Sequence, residues 1–172
     1  MNDTFASSLS FGVAGESVIA RWLRSRGNAV LPAYEKLLDD AKGPRVFMTS
    51  GTLVSPDFLA WNAGKQVFWI EAKHKNGFTW HRGTREFVTG IDLPHYNDYC
   101  RINDESPWPV WLLFLHEGGQ AKDSPPSPAG LYANSLTYLR EHIHHTHANG
   151  GKRGMIYWSI QHLIKLAFEC PV

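Results

Sequence analysis

The first regular pattern in the chain is a helical one. In "GESVIARWLRSRG" (15–27), Val18, Ile19, Trp22 and Leu23 fall on one stripe, and Gly27 is placed to end the helix. The pattern then shortens to that of strands. "NAVLPAY" reads as a strand whose Pro32 suits an edge or a bulge. "RVFM", "LVSPDFLAW" and "QVFWIEAK" follow as strands. "IDLPHYNDYCRIN" reads as a helix with Asp92 near its start and Pro94 in its first turn. "PVWLLFLH" is an apolar strand and "GLYAN" a short one. "SLTYLREHIHHTH" reads as a helix that Ser135 caps. "MIYW" is a strand, and "SIQHLIKLAFE" a last helix, with Ser159 as a second candidate cap. "KDSPPSPAG" (122–130) is an exposed loop and not a domain boundary, because regular patterning resumes at once. The order predicts one α/β domain over residues 1–172, built on a mixed central β-sheet flanked by helices.

Polar residues interrupt this pattern at four positions. In "QVFWIEAK" both faces are apolar, as in a central strand, yet Glu71 and Lys73 share a face at its far end. The three-residue turn "NAG" before it would pair Trp61 with Lys65 and set Asp57 opposite Trp69. Asp57 then lies on the face of Glu71 and Lys73, diagonal to Glu71; a turn one residue shorter would put it on the other face. Glu16 sits on or beside the buried stripe of the first helix and needs a partner there. Three carboxylates and a lysine at one sheet edge suit a hard cation such as Mg²⁺ with oxygen ligands. Such an ion polarises a phosphoryl oxygen and lowers the pKa of a bound water. The constellation predicts phosphodiester hydrolysis.

Composition sets the surroundings. Of 172 residues 43% are hydrophobic and 13% aromatic, enough for a core, and no apolar run is long enough to span a membrane. The start "MNDTFASSLSFG" lacks the layout of a secretory signal. Cys100 and Cys170 have no CxxC spacing, so the expectation is a reduced, cytoplasmic setting. Net charge is only +1, divided as 11 Lys/Arg against 8 Asp/Glu in residues 1–90 and 6 against 8 in residues 91–172. Lys75, Arg82 and Arg85, in the loop-like "HKNGFTWHRGTRE", are candidate phosphate contacts, with a solvated loop as the plain alternative. Trp80 could stack on a base or fill the core. His142, His144, His145 and His147 offer a zinc reading, but the spacing favours a solvated helix end.

Pro56-Asp57, the hairpin, Glu71-Ala72-Lys73 and the preceding Glu16 helix together resemble the PD-(D/E)xK nuclease superfamily. The order of parts is similar to Holliday-junction resolvases and to restriction-like phage nucleases. The resemblance covers a core of about residues 12–116, with a strand/helix extension over 130–172. It implies the restriction-endonuclease-like fold and a Mg²⁺-dependent DNA endonuclease, with Mn²⁺ able to substitute. It further implies Asp57, Glu71 and the Ala72 carbonyl as metal ligands, Glu16 as a direct or water-mediated one, and Lys73 as the catalytic lysine. The polar residue that many members carry on the next helix would be His95 or Tyr96, with His95 near the nucleic acid. DNA is the implied partner and a homodimer the implied assembly, with Trp80, Trp108 and Trp158 as candidate interface aromatics. A structure-specific, resolvase-like action is the first expectation. The alternatives are a restriction or repair nuclease, or a catalytically silent nucleic-acid-binding or assembly module on the same fold.

Overall fold

The computed structural model describes residues 3–33, 44–147 and 154–168, with side chains from residue 11 onward. Helix α1 (Asp3–Ser25) begins well before the predicted Gly15. It ends as expected: Gly27 takes a left-handed φ of 80°, and Asn28 N–H donates to Leu23 O at 3.1 Å. Gly15, Ile19 and Leu23 form its buried line.

The central sheet has six strands in the order β1 (Ala29–Pro32), β4 (Phe58–Trp61), β5 (Val67–Lys75), β8 (Val110–His116), β9 (Gly130–Ser135) and β12 (Ile164–Ala167). β5 and β8 run parallel and the other pairs antiparallel, so the sheet is mixed. Pro32 does lie in an edge strand, where the missing N–H costs no ladder bond. On one face, Ile19 and Leu23 of α1 pack on Phe58, Ile70, Ala72, Leu113 and Leu115. The other face carries a second layer. It consists of α2 (Leu93–Glu105), α3 (Leu136–Arg140), the hairpin β2 (Arg45–Met48)–β3 (Gly51–Val54) and a second sheet. That sheet runs β10 (His145–His147), β11 (Met155–Ser159), β7 (Glu86–Asp92), β6 (Thr79–His81). Trp158, Tyr99, Ile102, Leu112, Phe114 and Ile156 make the core between the layers.

Several expectations are corrected here. The segment read as one strand over 53–61 is two, β3 and β4, which belong to different sheets. The predicted loop over residues 74–86 contains β6 and the start of β7, joined by a tight turn in which Arg85 adopts φ 58°. The helix after Ser135 is capped as expected, Tyr138 N–H donating to Ser135 Oγ at 3.3 Å, but it stops at Arg140. His and Thr are weak helix formers, and His145–His147 instead pair with β11. Ser159 also caps, but only the 3₁₀ turn Ile160–His162, after which the chain becomes β12. An open edge on β9 outcompetes the helical spacing there. Trp158 is fully buried and is no interface residue; Trp80 and Trp108 are half-buried. Among the described residues, no helix is long and apolar enough to cross a membrane. Cys170 lies outside the described residues.

Candidate active site

The hairpin β4–β5 sets the geometry. The connection is five residues, 62–66, and not the three expected. Asn62 lengthens it: Gln66 N–H donates to Asn62 Oδ1 at 3.1 Å, and the left-handed residue is Lys65 (φ 60°), one past Gly64. The register is Trp61↔Val67 and Phe58↔Ile70. Continuing it one step sets Asp57 level with Glu71, two residues from the predicted position. A shift of two preserves the face, so Asp57 stands directly across from Glu71 instead of on the diagonal. The Asp57 turn is pinned on both sides: Ala33 N–H donates to Asp57 O at 2.8 Å, and Val54 N–H to Asp98 Oδ2 of α2 at 3.0 Å.

Asp57 Oδ2 accepts the Ala72 N–H at 2.8 Å. Glu71 is almost wholly buried and ion-paired to the Lys73 ammonium, which is less than one-third exposed. Tyr99 of α2, also buried, lies beside Glu71 without forming a well-shaped hydrogen bond to it. The electrostatics are those of a crowded acid cluster. Burial and then the charge of Glu71 push Asp57 well above the usual carboxylate range, with only partial relief from Lys73 and the Ala72 N–H. Burial, and the charge of Glu71, also raise Glu16, while Lys73 lowers it; Glu16 therefore belongs to the group, approaching from the α1 layer. Burial works against the Lys73 ammonium, but Glu71 and Asp57 outweigh it and hold the group above an ordinary lysine. Burial and then the charges of Glu71 and Asp57 raise Tyr99 well above the ordinary phenol range.

The other predicted residues are spread more widely. Lys75 is half-buried behind Lys73; burial and then the Lys73 charge lower its pKa. His95 sits one turn before Tyr99 on α2, with Nδ1 at 3.9 Å from Asp92 Oδ2. Tyr96 packs toward Trp158 in the core (ring centres 5.9 Å apart). Arg82 and Arg85 are exposed on the β6–β7 turn, Arg82 at 3.7 Å from Asp123. Two residues were missed. Tyr99 could have been found from its spacing, because it shares a helical face with His95. Asp92 caps α2 by position only, with no side-chain cap bond, and its charge is felt by both Lys73 and Lys75. Only its place at a helix start was visible in the sequence.

Among the described residues, no three His, Cys, Asp or Glu side chains converge tightly enough to hold a metal as they stand. The donor set nevertheless fits a hard cation. Glu71 Oε2 has no hydrogen-bond partner, Asp57 is destabilised as an anion, and the Lys73 ammonium occupies the place of a compensating positive charge.

The fold has a known counterpart. The chain is similar to Hjc, a Holliday junction resolvase from the archaeal hyperthermophile Archaeoglobus fulgidus, over 90% of this chain and 91% of that one, with a TM-score of 0.51 and 10% sequence identity. No family model and no curated protein sequence matches the chain. At that identity the likeness establishes the fold alone: a restriction-endonuclease-like α/β core.

Proposed function

We propose that this protein is a divalent-metal-dependent nuclease that hydrolyses DNA phosphodiester bonds, with a branched, junction-like DNA as its preferred substrate. The observation that carries the reading is the buried Glu71 carboxylate, level with Asp57 and paired with Lys73 at the end of a central strand. A fold serving only as a scaffold gains nothing from a cluster that raises its own acids. The junction preference rests on the likeness to the resolvase fold.

Asp57 and Glu71, with the Ala72 carbonyl and Glu16 behind them, would hold Mg²⁺, or Mn²⁺ in its place. When bound, that ion supplies charge to a phosphoryl oxygen and acidity to a water. The protein's own part follows from its charges. Lys73 is a permanent ammonium at neutral pH. Released from Glu71, it faces the phosphate and offsets charge that builds on it. Tyr99 stays a neutral phenol and keeps one wall of Glu71 dry. Arg82 and Arg85, exposed on their turn, contact backbone phosphates without reading bases.

The deciding assay presents four-way junction, fork, linear duplex and single strand, each with Mg²⁺, Mn²⁺, Ca²⁺ or EDTA. Cleavage of the junction with Mg²⁺ or Mn²⁺ only, absent in Lys73→Ala, is the expected result. Cleavage that survives EDTA, or that Lys73→Ala leaves intact, would overturn the reading. Equal cleavage of all four substrates would keep the nuclease and remove the junction preference.

A further inference from the structure

Three histidines with no part in this chemistry meet at the far end of the second sheet. His81 ends β6, and His144 and His145 stand where β10 begins. β6 and β10 are the two edges of that sheet, yet their rings interlock. Ring centres lie 4.8 Å apart for His81–His144, 4.8 Å for His81–His145 and 4.9 Å for His144–His145. All three residues are half-buried. Three imidazoles on one tetrahedral cation would place their ring centres about 5 Å apart, given Zn–N bonds of about 2.0–2.1 Å.

The nitrogens of His144 and His145 are placed as such a site needs. Nδ1 of His144 and Nδ1 of His145 face each other at 2.6 Å. His144 turns its other nitrogen, Nε2, outward to Thr84 Oγ1 at 3.0 Å, with Glu86 Oε2 at 3.9 Å. His81 turns Nδ1 to the same hydroxyl at 2.9 Å and there also accepts the Thr84 N–H at 3.3 Å; a cation at Nε2 would require the proton to move to Nδ1 and be donated to the hydroxyl. Metal-bound histidines characteristically engage an oxygen through the second ring nitrogen, fixing tautomer and ring orientation. His144 and His145 share one N–H···N hydrogen bond. That bond holds them inside the roughly 3.3 Å that two nitrogens on one tetrahedral ion keep. A cation would replace the shared proton and part the rings by less than about 1 Å. As they stand, the three side chains do not converge tightly enough to hold an ion, so binding requires this small rearrangement.

We propose that His81, His144 and His145 form a second divalent-cation site, for an imidazole-preferring ion such as Zn²⁺, with water as fourth ligand. Thr84 and Glu86 orient the ligands. Nitrogen donors separate this site chemically from the all-oxygen carboxylate cluster. The bound ion ties the β6–β7 turn, with Arg82 and Arg85 on it, to β10 and closes the two edges of the sheet together.

The test titrates metal-stripped full-length protein with Co²⁺ and with Zn²⁺. Two readouts are followed: the intense visible absorption of low-coordinate Co²⁺, and the melting temperature. One equivalent giving that absorption is expected in wild type and equally in the Asp57→Asn/Glu71→Gln double variant. His81→Ala and His145→Ala lose it, and Thr84→Ala weakens binding about tenfold. Wild type without the absorption overturns the proposal. So does a titration that His81→Ala leaves unchanged, or one lost only in the carboxylate variant. His145 stacks on Tyr157 (ring centres 4.6 Å apart), so its removal can loosen the edge by itself. His81→Ala, beside the exposed turn, is the variant that decides.

Discussion

At the scale of single residues, the acid cluster costs the folded state stability. The folded state raises the Asp57 pKa. As pH rises through the unfolded carboxylate range the unfolded chain ionises first, so the native state loses stability there and does not regain it at neutral pH. Asp57→Asn keeps an acceptor for the Ala72 N–H and removes the charge. It is expected to abolish cleavage while raising the melting temperature at pH 7 by about 3 °C, the equivalent of about 1 kcal/mol in a chain of this size. Calorimetry at pH 7 and pH 3.5 checks this, because the gain should vanish at the lower pH. Added Mg²⁺ should stabilise wild type and not the variant. His116 behaves in the opposite sense. It is wholly buried against Phe78 with neither ring nitrogen bonded, and burial, then Lys75, push its pKa down to about 3. Native and unfolded states are both neutral at this residue above pH 7. Below about pH 6.5 the unfolded chain takes up the proton first, and stability falls by up to about 1.4 kcal/mol per pH unit until about pH 3. His116→Phe is expected to flatten that part of the acid-unfolding profile.

At the scale of elements, the seating of α1 rests on one small residue. A Cβ on Gly15 would come within 2.3 Å of His74 Cβ, an atom fixed to the β5 backbone. His74 also stacks on Phe11 and places Nδ1 at 2.8 Å from Phe11 O, so helix and strand are in close contact along this line. Gly15→Ala should therefore lift α1 and Glu16 away from β5. The expected cost is about 1–3 kcal/mol, visible in urea unfolding, with cleavage reduced even where the protein stays folded. What could be read in the sequence divides along the same elements. The period-two alternation of β5 put Glu71 and Lys73 on one face correctly, and Asp57 kept that face because the turn error was an even number. The α1 stripe put Glu16 beside the buried line. The last segment reads as a helix because Ile160, Leu163, Ile164 and Ala167 satisfy a helical spacing, while the free edge of β9 decides for a strand. β6 and β7 were hidden because glycine and three charges in "HRGTRE" resemble a solvated loop. Tyr99 reaches Glu71 only through the packing of α2 over β7 and β8, a contact across the core that no local pattern records.

At the scale of the whole molecule, one chain carries one carboxylate cluster among the described residues. Symmetric cleavage of two strands at a junction would then need two copies, and a two-fold dimer is the simplest closed arrangement. Light scattering at micromolar concentration, with and without junction DNA, should give the mass of two chains at least in the complex. The mass of one chain in both conditions, together with nicks on a single strand, would remove the paired-cut reading. The single parallel pair in the sheet has a further, kinetic consequence. β4 and β5 are neighbours in sequence and can zip as soon as both exist, but β8 reaches β5 only after the chain has returned through residues 76–109. Leu112 stands beside Glu71 across that late pairing. A chain emerging from the ribosome as far as Lys75 therefore carries Asp57, Glu71 and Lys73 fully wetted, without the wall that crowds them. On the nuclease reading, the protein is harmless to nearby nucleic acid while it is being made, and is armed only when β8 docks.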